Sequence, residues 1–198
     1  MPSFTPVGLN LLLQTSLHRV PININYIMGF NEQIFKIDGL KIKSESVHRV
    51  LGEEYYKGDF ELTSLINFTP PKTLLMKSLI KSKNFELKSF NWKDIEVPAM
   101  NINNFVLKFE LNEKNVVHLN DLILGDVGSP IALNLKGKIF LDTQSLLNTS
   151  LDLNGEFKLS DQFIKNFSIL SLFLDQLEVK DGYYLANITG TLAAPVFK

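Results

Sequence analysis

Three histidines, His18, His48 and His118, are the side chains of this sequence best suited to hold a metal or to move a proton near neutral pH. A zinc site or an acid–base pair would set them beside carboxylates at one helix turn or one strand step. Each stands alone, with no HExxH pair around it. Glu53-Glu54 would suit acid–base work, but adjacent carboxylates ahead of Tyr55-Tyr56 read as solvated charge. Asp121, Asp126 and Asp142 fall near strand ends, where acidic residues commonly terminate pairing. No serine occupies a GxSxG elbow, and neither a P-loop nor GxGxxG is present. The chain has no cysteine, so a disulfide framework, a thiol nucleophile and a cysteine-based zinc site are excluded. The expectation is a protein that is not an enzyme and carries no cofactor or metal.

Charge narrows the partners. The formal net charge is −1, which gives no general attraction to nucleic acid or to an anionic membrane face. Nearly all the positive charge is lysine, with Arg19 and Arg49 the only arginines. Base and phosphate readout leans on the arginine fork, so no nucleic-acid partner is expected. The single tryptophan, Trp92, reads as a half-buried strand residue rather than an aromatic lip on a ligand or membrane surface. One tryptophan is also little for a sugar-stacking platform.

The elements that would position any site show a period of two. SLDLNGEFKLS sets Leu151, Leu153, Phe157 and Leu159 on one face and Asp152, Asn154, Glu156 and Lys158 on the other. IALNLKGKIFL repeats the pattern with Ile131, Leu133, Leu135, Ile139 and Leu141. NFVLKFELNE does so with Phe105, Leu107, Phe109 and Leu111. GDFELTSLINF adds Phe60, Leu62, Ile66 and Phe68, and PININYIM adds Ile22, Ile24, Tyr26 and Met28. Strands apolar on one side and polar on the other belong to antiparallel sheets. Turn signals fall at Asp38-Gly39, Gly58-Asp59, Asn112 to Asn115, Gly128-Ser129-Pro130 and Asp181-Gly182. Gly137, Gly155 and Gly190 fall in mid-strand on the apolar face, which predicts a sheet that curls sharply.

Three segments are expected to be helical. PPKTLLMKSLIKSK opens on prolines and spaces Leu75 and Leu79 one turn apart. SDQFIKNFSILSLFLDQL, over 160–177, offers Ser160 as N-cap and an apolar stripe that covers most of the circumference. A shorter helix is expected over Glu45–Leu51. The predicted fold is a single β-rich domain over 1–198. It is mainly β, a long, antiparallel, strongly curved sheet or a flattened open barrel or groove, with two or three short helices.

The C-terminal stretch KGKIFLDTQSLLNTSLDLNGEFKLSDQFIKNF, followed by KDGYYLANITGTLAAPVF, resembles the periplasmic domain of the N component of the bacterial type II secretion system. The matching residues are Gly137, Ser150, Leu151, Leu153, Asp181, Gly182, Tyr183, Gly190, Leu192 and Pro195, and the resemblance covers about residues 120–198. The same ending is similar to that of AsmA-like envelope proteins, whose long curved sheets are implicated in lipid movement. The resemblance implies a non-catalytic assembly component in the periplasm, with other secretion-system envelope proteins as partners. It also implies association with the inner membrane through an anchor outside this sequence, since MPSFTPVGLNLLLQTSL lacks the basic n-region of a signal peptide. The alternative is a lipid-binding or lipid-transfer module with a concave apolar groove. Ile131, Leu133, Leu135, Leu151, Leu153, Tyr184, Ala186 and Ile188 are the residues expected to line it. Ala186 and Gly190 leave space above them, which the 160–177 helix is expected to fill rather than a ligand.

Overall fold

The computed structural model describes residues 9–17, 20–29, 32–45, 55–69, 73–92, 95–112, 114–126, 128–167 and 174–198. Antiparallel strands dominate it. In chain order they are β1 (Leu9–Leu17), β2 (Val20–Met28), β3 (Gln33–Lys43), the short β4 (Tyr56–Lys57), β5 (Asp59–Thr69) and β6 (Thr73–Leu87). A small separate ribbon of β7 (Phe90–Trp92) and β8 (Ile95–Val97) follows. Then come β9 (Met100–Leu111), β10 (Val116–Leu124), β11 (Ile131–Phe140), β12 (Ser150–Leu159), β13 (Val179–Lys180), β14 (Tyr183–Thr191) and β15 (Pro195–Phe197). The main sheet runs in the order β1-β2-β3-β5-β6-β9-β10-β11-β12-β14-β13, with β4 beside β6 and β15 beside β14. It is open and is not closed into a barrel.

The expected period of two is present. Along β12, Leu153 is buried and Leu151, Phe157 and Leu159 are half-buried, while Asp152, Asn154, Glu156 and Lys158 are exposed. Three irregularities keep one face apolar where strict alternation would have turned it over. The β3 register shifts between Ile37 and Leu40, at Asp38-Gly39, which is a bulge inside a strand and not a turn. The β10 register shifts between Leu119 and Leu122. In β9, Asn103 takes a φ of 62°, so that Ile102 before it and Phe105 after it both reach the core. One extra residue per bulge restores the apolar residues to the side they started on.

The helix expected at PPKTLLMKSLIKSK is not formed; residues from Thr73 onward make β6, the longest strand. The leucine doublets of that segment imitate a 3.6-residue period. In the sheet Met76 lies between Ile66 and Leu111, and Ile80 between Leu62 and Leu107. Two flanking strands supply ladder partners and apolar neighbours that an isolated helix would lack, and tertiary context overrides propensity. In the 160–177 segment, α1 (Asp161–Asn166) is helical. Ser160 caps it, its Oγ accepting from the Phe163 N–H at 3.2 Å. Residues 168–173 lie outside the described residues. So does most of the expected 45–51 helix, of which only Glu45 is described; it is helical, as is Ser44 before it.

Two apolar clusters form the core. One holds Phe60, Phe85, Met100 and Ile102; Phe163 of α1 packs against it. The other holds Leu119, Leu135 and Leu153, joined by Ala186 and Ile188. Gly155 explains how tightly the strands approach there. A Cβ on it would lie 1.9 Å from the Asn134 carbonyl oxygen, and one on Gly137 would lie 2.1 Å from that of Asp152. Only glycine allows neighbouring backbones so close.

Candidate apolar binding face

The strand registers carry one apolar row across ten strands. Leu11 pairs with Tyr26, Tyr26 with Phe35, Phe35 with Ile66, Ile66 with Met76 and Met76 with Leu111. The row continues through Val117, Ile139 and Leu151 to Gly190. Residues directly opposite each other in an antiparallel pair share a face, so the whole row looks to one side. At the strand spacing of about 4.8 Å it extends on the order of 40 Å along the sheet.

Near the middle of this face four aromatic rings gather. Ring centroids lie 5.8 Å apart for Tyr56 and Phe60, 6.1 Å for Phe60 and Phe85, and 5.1 Å for Phe85 and Phe105. Phe60 and Phe105 are 5.8 Å apart although β6 lies between their strands. Two strand steps on a flat sheet measure about 9.6 Å. The rings therefore lean together over β6. With Ile42, Leu62 and Ile80 they line an open hollow of about 290 Å³ whose wall is almost wholly apolar. That volume sits at the lower end of small-molecule sites, about 300 to 1,000 Å³. Burial pushes the Tyr56 phenol above its usual value, so this side chain stays neutral through the physiological range.

The opposite face is polar. Lys77 pairs with Glu110 at 3.3 Å and Lys136 with Asp121 at 3.4 Å. Two larger hollows, of about 670 and 720 Å³, are walled mainly by lysines, acids and asparagines such as Lys136, Asn154 and Glu156 or Lys41, Asp59 and Glu61.

All eight residues expected to line a groove fall on the apolar face. Leu135 lies opposite Gly155 and Gly155 opposite Ala186; Leu153 lies opposite Ile188; Ile139 opposite Leu151. Leu133, Phe157 and Tyr184 form a further row, and Ile131 faces Leu159. Leu135 and Leu153 are buried, and Ile131, Leu133, Leu151, Tyr184, Ala186 and Ile188 are half-buried. The apolar hollow lies elsewhere on the face, between Ile42 and Phe105. Among the described residues α1 packs on the aromatic cluster through Phe163, whereas the cluster containing Ala186 is built from strand residues. The signal for the cavity was the density of phenylalanine in GDFEL, NFELKSF and NFVLKFE, within a chain that has 15 of them. Phe60 and Phe105 were readable as strand residues; Ile42, Tyr56 and Phe85 could join them only once β3, β4 and β6 were aligned.

His118 lies on the polar face, opposite Glu110 and Lys138. His18, His48, Glu53 and Glu54 fall outside the described residues. The Trp92 backbone belongs to β7; its side chain falls outside them too. Among the described residues no three histidine or carboxylate side chains converge as metal ligands. No helix among them is long and apolar enough to cross a membrane.

Comparison with known protein families, with curated proteins and with solved structures finds no match to this chain.

Proposed function

We propose that this chain is a non-catalytic lipid-binding module of the bacterial cell envelope that holds acyl chains along its apolar face. The observation that carries this reading is the apolar hollow of about 290 Å³ at Phe60, Phe85 and Phe105, on the same face as an apolar row that crosses ten strands. Passing 16 methylenes through water costs about 13 kcal/mol at ~0.8 kcal/mol each. A half-open apolar hollow removes part of that cost, and the apolar face beyond it accommodates the rest of a long chain. The polar outer face keeps such a protein wetted on one side only. The test is titration of a fluorescent fatty acid into the full chain, followed by competition with an unlabelled one. Saturable, competed binding that Ile80→Lys abolishes is expected. Absence of saturable binding to the intact protein overturns the reading.

A second reading is an assembly component of the type II secretion system, in the periplasm beside the inner membrane. It draws on the resemblance over 120–198 and on the uncharged β1 edge, which suits strand addition by a partner protein. Co-purification of secretion-system envelope proteins with the chain from a bacterial membrane fraction is the result expected from it.

A further inference from the structure

The two ends of the main sheet are built differently. At the C-terminal end the outer edge of β14 is occupied. β13 pairs with it at Tyr183 and Tyr184, and β15 pairs with it from Ile188 to Gly190. Backbone bonds from Leu185 to Glu178 and between Asn187 and Lys198 fill the gap between them. Pro195 and Lys198 stand in that cover, and proline and lysine are residues that blunt an edge. At the other end β1 pairs with β2 along all nine of its residues, and among the described residues no strand lies on its far side. β1 reads LNLLLQTSL, with no charge and no proline, and Leu12 on the polar face is 66% exposed. A long uncharged edge strand is a template for pairing.

We propose that β1 pairs with β1 of a second copy of this chain, antiparallel, about a two-fold axis normal to the sheet at Leu13. The sequence of β1 is complementary to itself in that register. Leu9 meets Leu17 of the partner, Leu11 meets Thr15 and Leu13 meets its own copy, all on the apolar face. Asn10 meets Ser16 and Leu12 meets Gln14 on the polar face, and the two Leu12 side chains become diagonal neighbours. No charge opposes another. The apolar row beginning at Leu11 then runs on into the second sheet without a break. At the other end the outer strands are β13 and β15, of two and three residues, too short to template a long pairing, so edge-to-edge association stops at two copies.

The chain has no cysteine, so single cysteines report the geometry directly. Leu13→Cys is expected to give a disulfide-linked dimer on mild oxidation, since directly opposed residues bring Cα atoms about 4.5–5.5 Å apart. Leu9→Cys and the exposed Phe197→Cys are expected to remain monomeric under the same oxidant. In the unmodified chain, light scattering should show a concentration-dependent dimer. Leu12→Lys with Gln14→Lys places two like-charged pairs across the axis and should shift the dimer constant at least tenfold toward monomer. Leu12→Lys with Gln14→Glu places opposite charges there and should restore it, which separates pairing from any general damage to β1. A chain that stays monomeric at all concentrations, or cross-links as well through Phe197→Cys as through Leu13→Cys, overturns the proposal. So does a dimer indifferent to the two charge variants.

Discussion

The hydroxyls of Ser64 and Ser78 lie 2.8 Å apart across β5 and β6, both buried within the apolar face between Ile37 and Phe109. Both are buried and they satisfy each other, so a polar interruption is carried in the face at little cost. Removing one partner should be worse than removing both. Ser64→Ala strands the Ser78 hydroxyl and should lower stability by about 1–3 kcal/mol. Ser64→Ala with Ser78→Ala should recover most of that loss. Urea unfolding of the three proteins decides it; additive losses would mean that the pair does not act as a unit.

A methyl group on Gly155 has nowhere to go. Its Cβ would fall 1.9 Å from the Asn134 carbonyl oxygen, a backbone atom that cannot swing aside. Gly155→Ala should therefore destabilise by about 1–3 kcal/mol or more, as overpacking does. Gly128→Ala is the control, because the nearest atom to its Cβ is the Asp126 carboxylate at 3.7 Å. That change should stay within about 0.5 kcal/mol of the parent. Equal thermal shifts for the two variants would contradict the close approach of β11 and β12.

The strands with one apolar and one polar face were legible because alternation is a direct image of a half-buried sheet. β12 and β11 came through with faces assigned correctly, Gly137 and Gly155 among them. β6 did not, because Leu74-Leu75 and Leu79-Ile80 put apolar residues on both of its faces, and only pairing with β5 and β9 reveals which face is the core. Bulges at Asp38-Gly39 and Asn103 were illegible for a related reason. They break the period that the reading depends on, and glycine beside aspartate looks like a turn from either side. The cavity was harder still. Phe60, Phe85 and Phe105 are far apart in sequence and meet because three strands align and their rings lean together.

The register of β12 can be tested by truncation. Leu153 is 7% exposed within the cluster of Leu119 and Leu135, whereas Glu156 faces water. Leu153→Ala should cost about 2–5 kcal/mol and Glu156→Ala under about 0.5 kcal/mol. Similar denaturation midpoints for the two would place the strand in the wrong register.

Asp142 closes the turn after β11. Its carboxylate accepts from the Ser145 and Gln144 backbone N–H groups at 3.0 and 2.8 Å, and these bonds hold its pKa below the usual carboxylate range. A depressed folded-state pKa gives stabilisation that is present above the unfolded value and lost as pH falls through the folded one. The carboxyl resonance of Asp142, followed by NMR, should titrate with its midpoint below that of an ordinary aspartate. Asp142→Asn should remove the corresponding acid-side slope from the stability profile. A midpoint at or above the ordinary value would show that the two N–H bonds do not hold in solution.

Two tryptophan substitutions locate the ligand on the apolar face. Leu62 borders the 290 Å³ cavity, where a larger side chain has space to enter. Leu62→Trp should leave stability within about 1 kcal/mol, because the added volume fills a void rather than displacing packed atoms. It should also sharply weaken uptake of a fluorescent fatty acid, because ring and acyl chain compete for the same space. Ala186 lies opposite Gly155 in the cluster of Leu119, Leu135 and Leu153, where neighbouring strands already approach closely. Ala186→Trp should therefore lose about 1–3 kcal/mol or more while the folded fraction still takes up the fatty acid at the parent affinity. Measuring the unfolding midpoint and the binding curve on each variant separates the two sites. Uptake lost in Ala186→Trp and retained in Leu62→Trp would move the ligand from the aromatic cavity to the C-terminal strands.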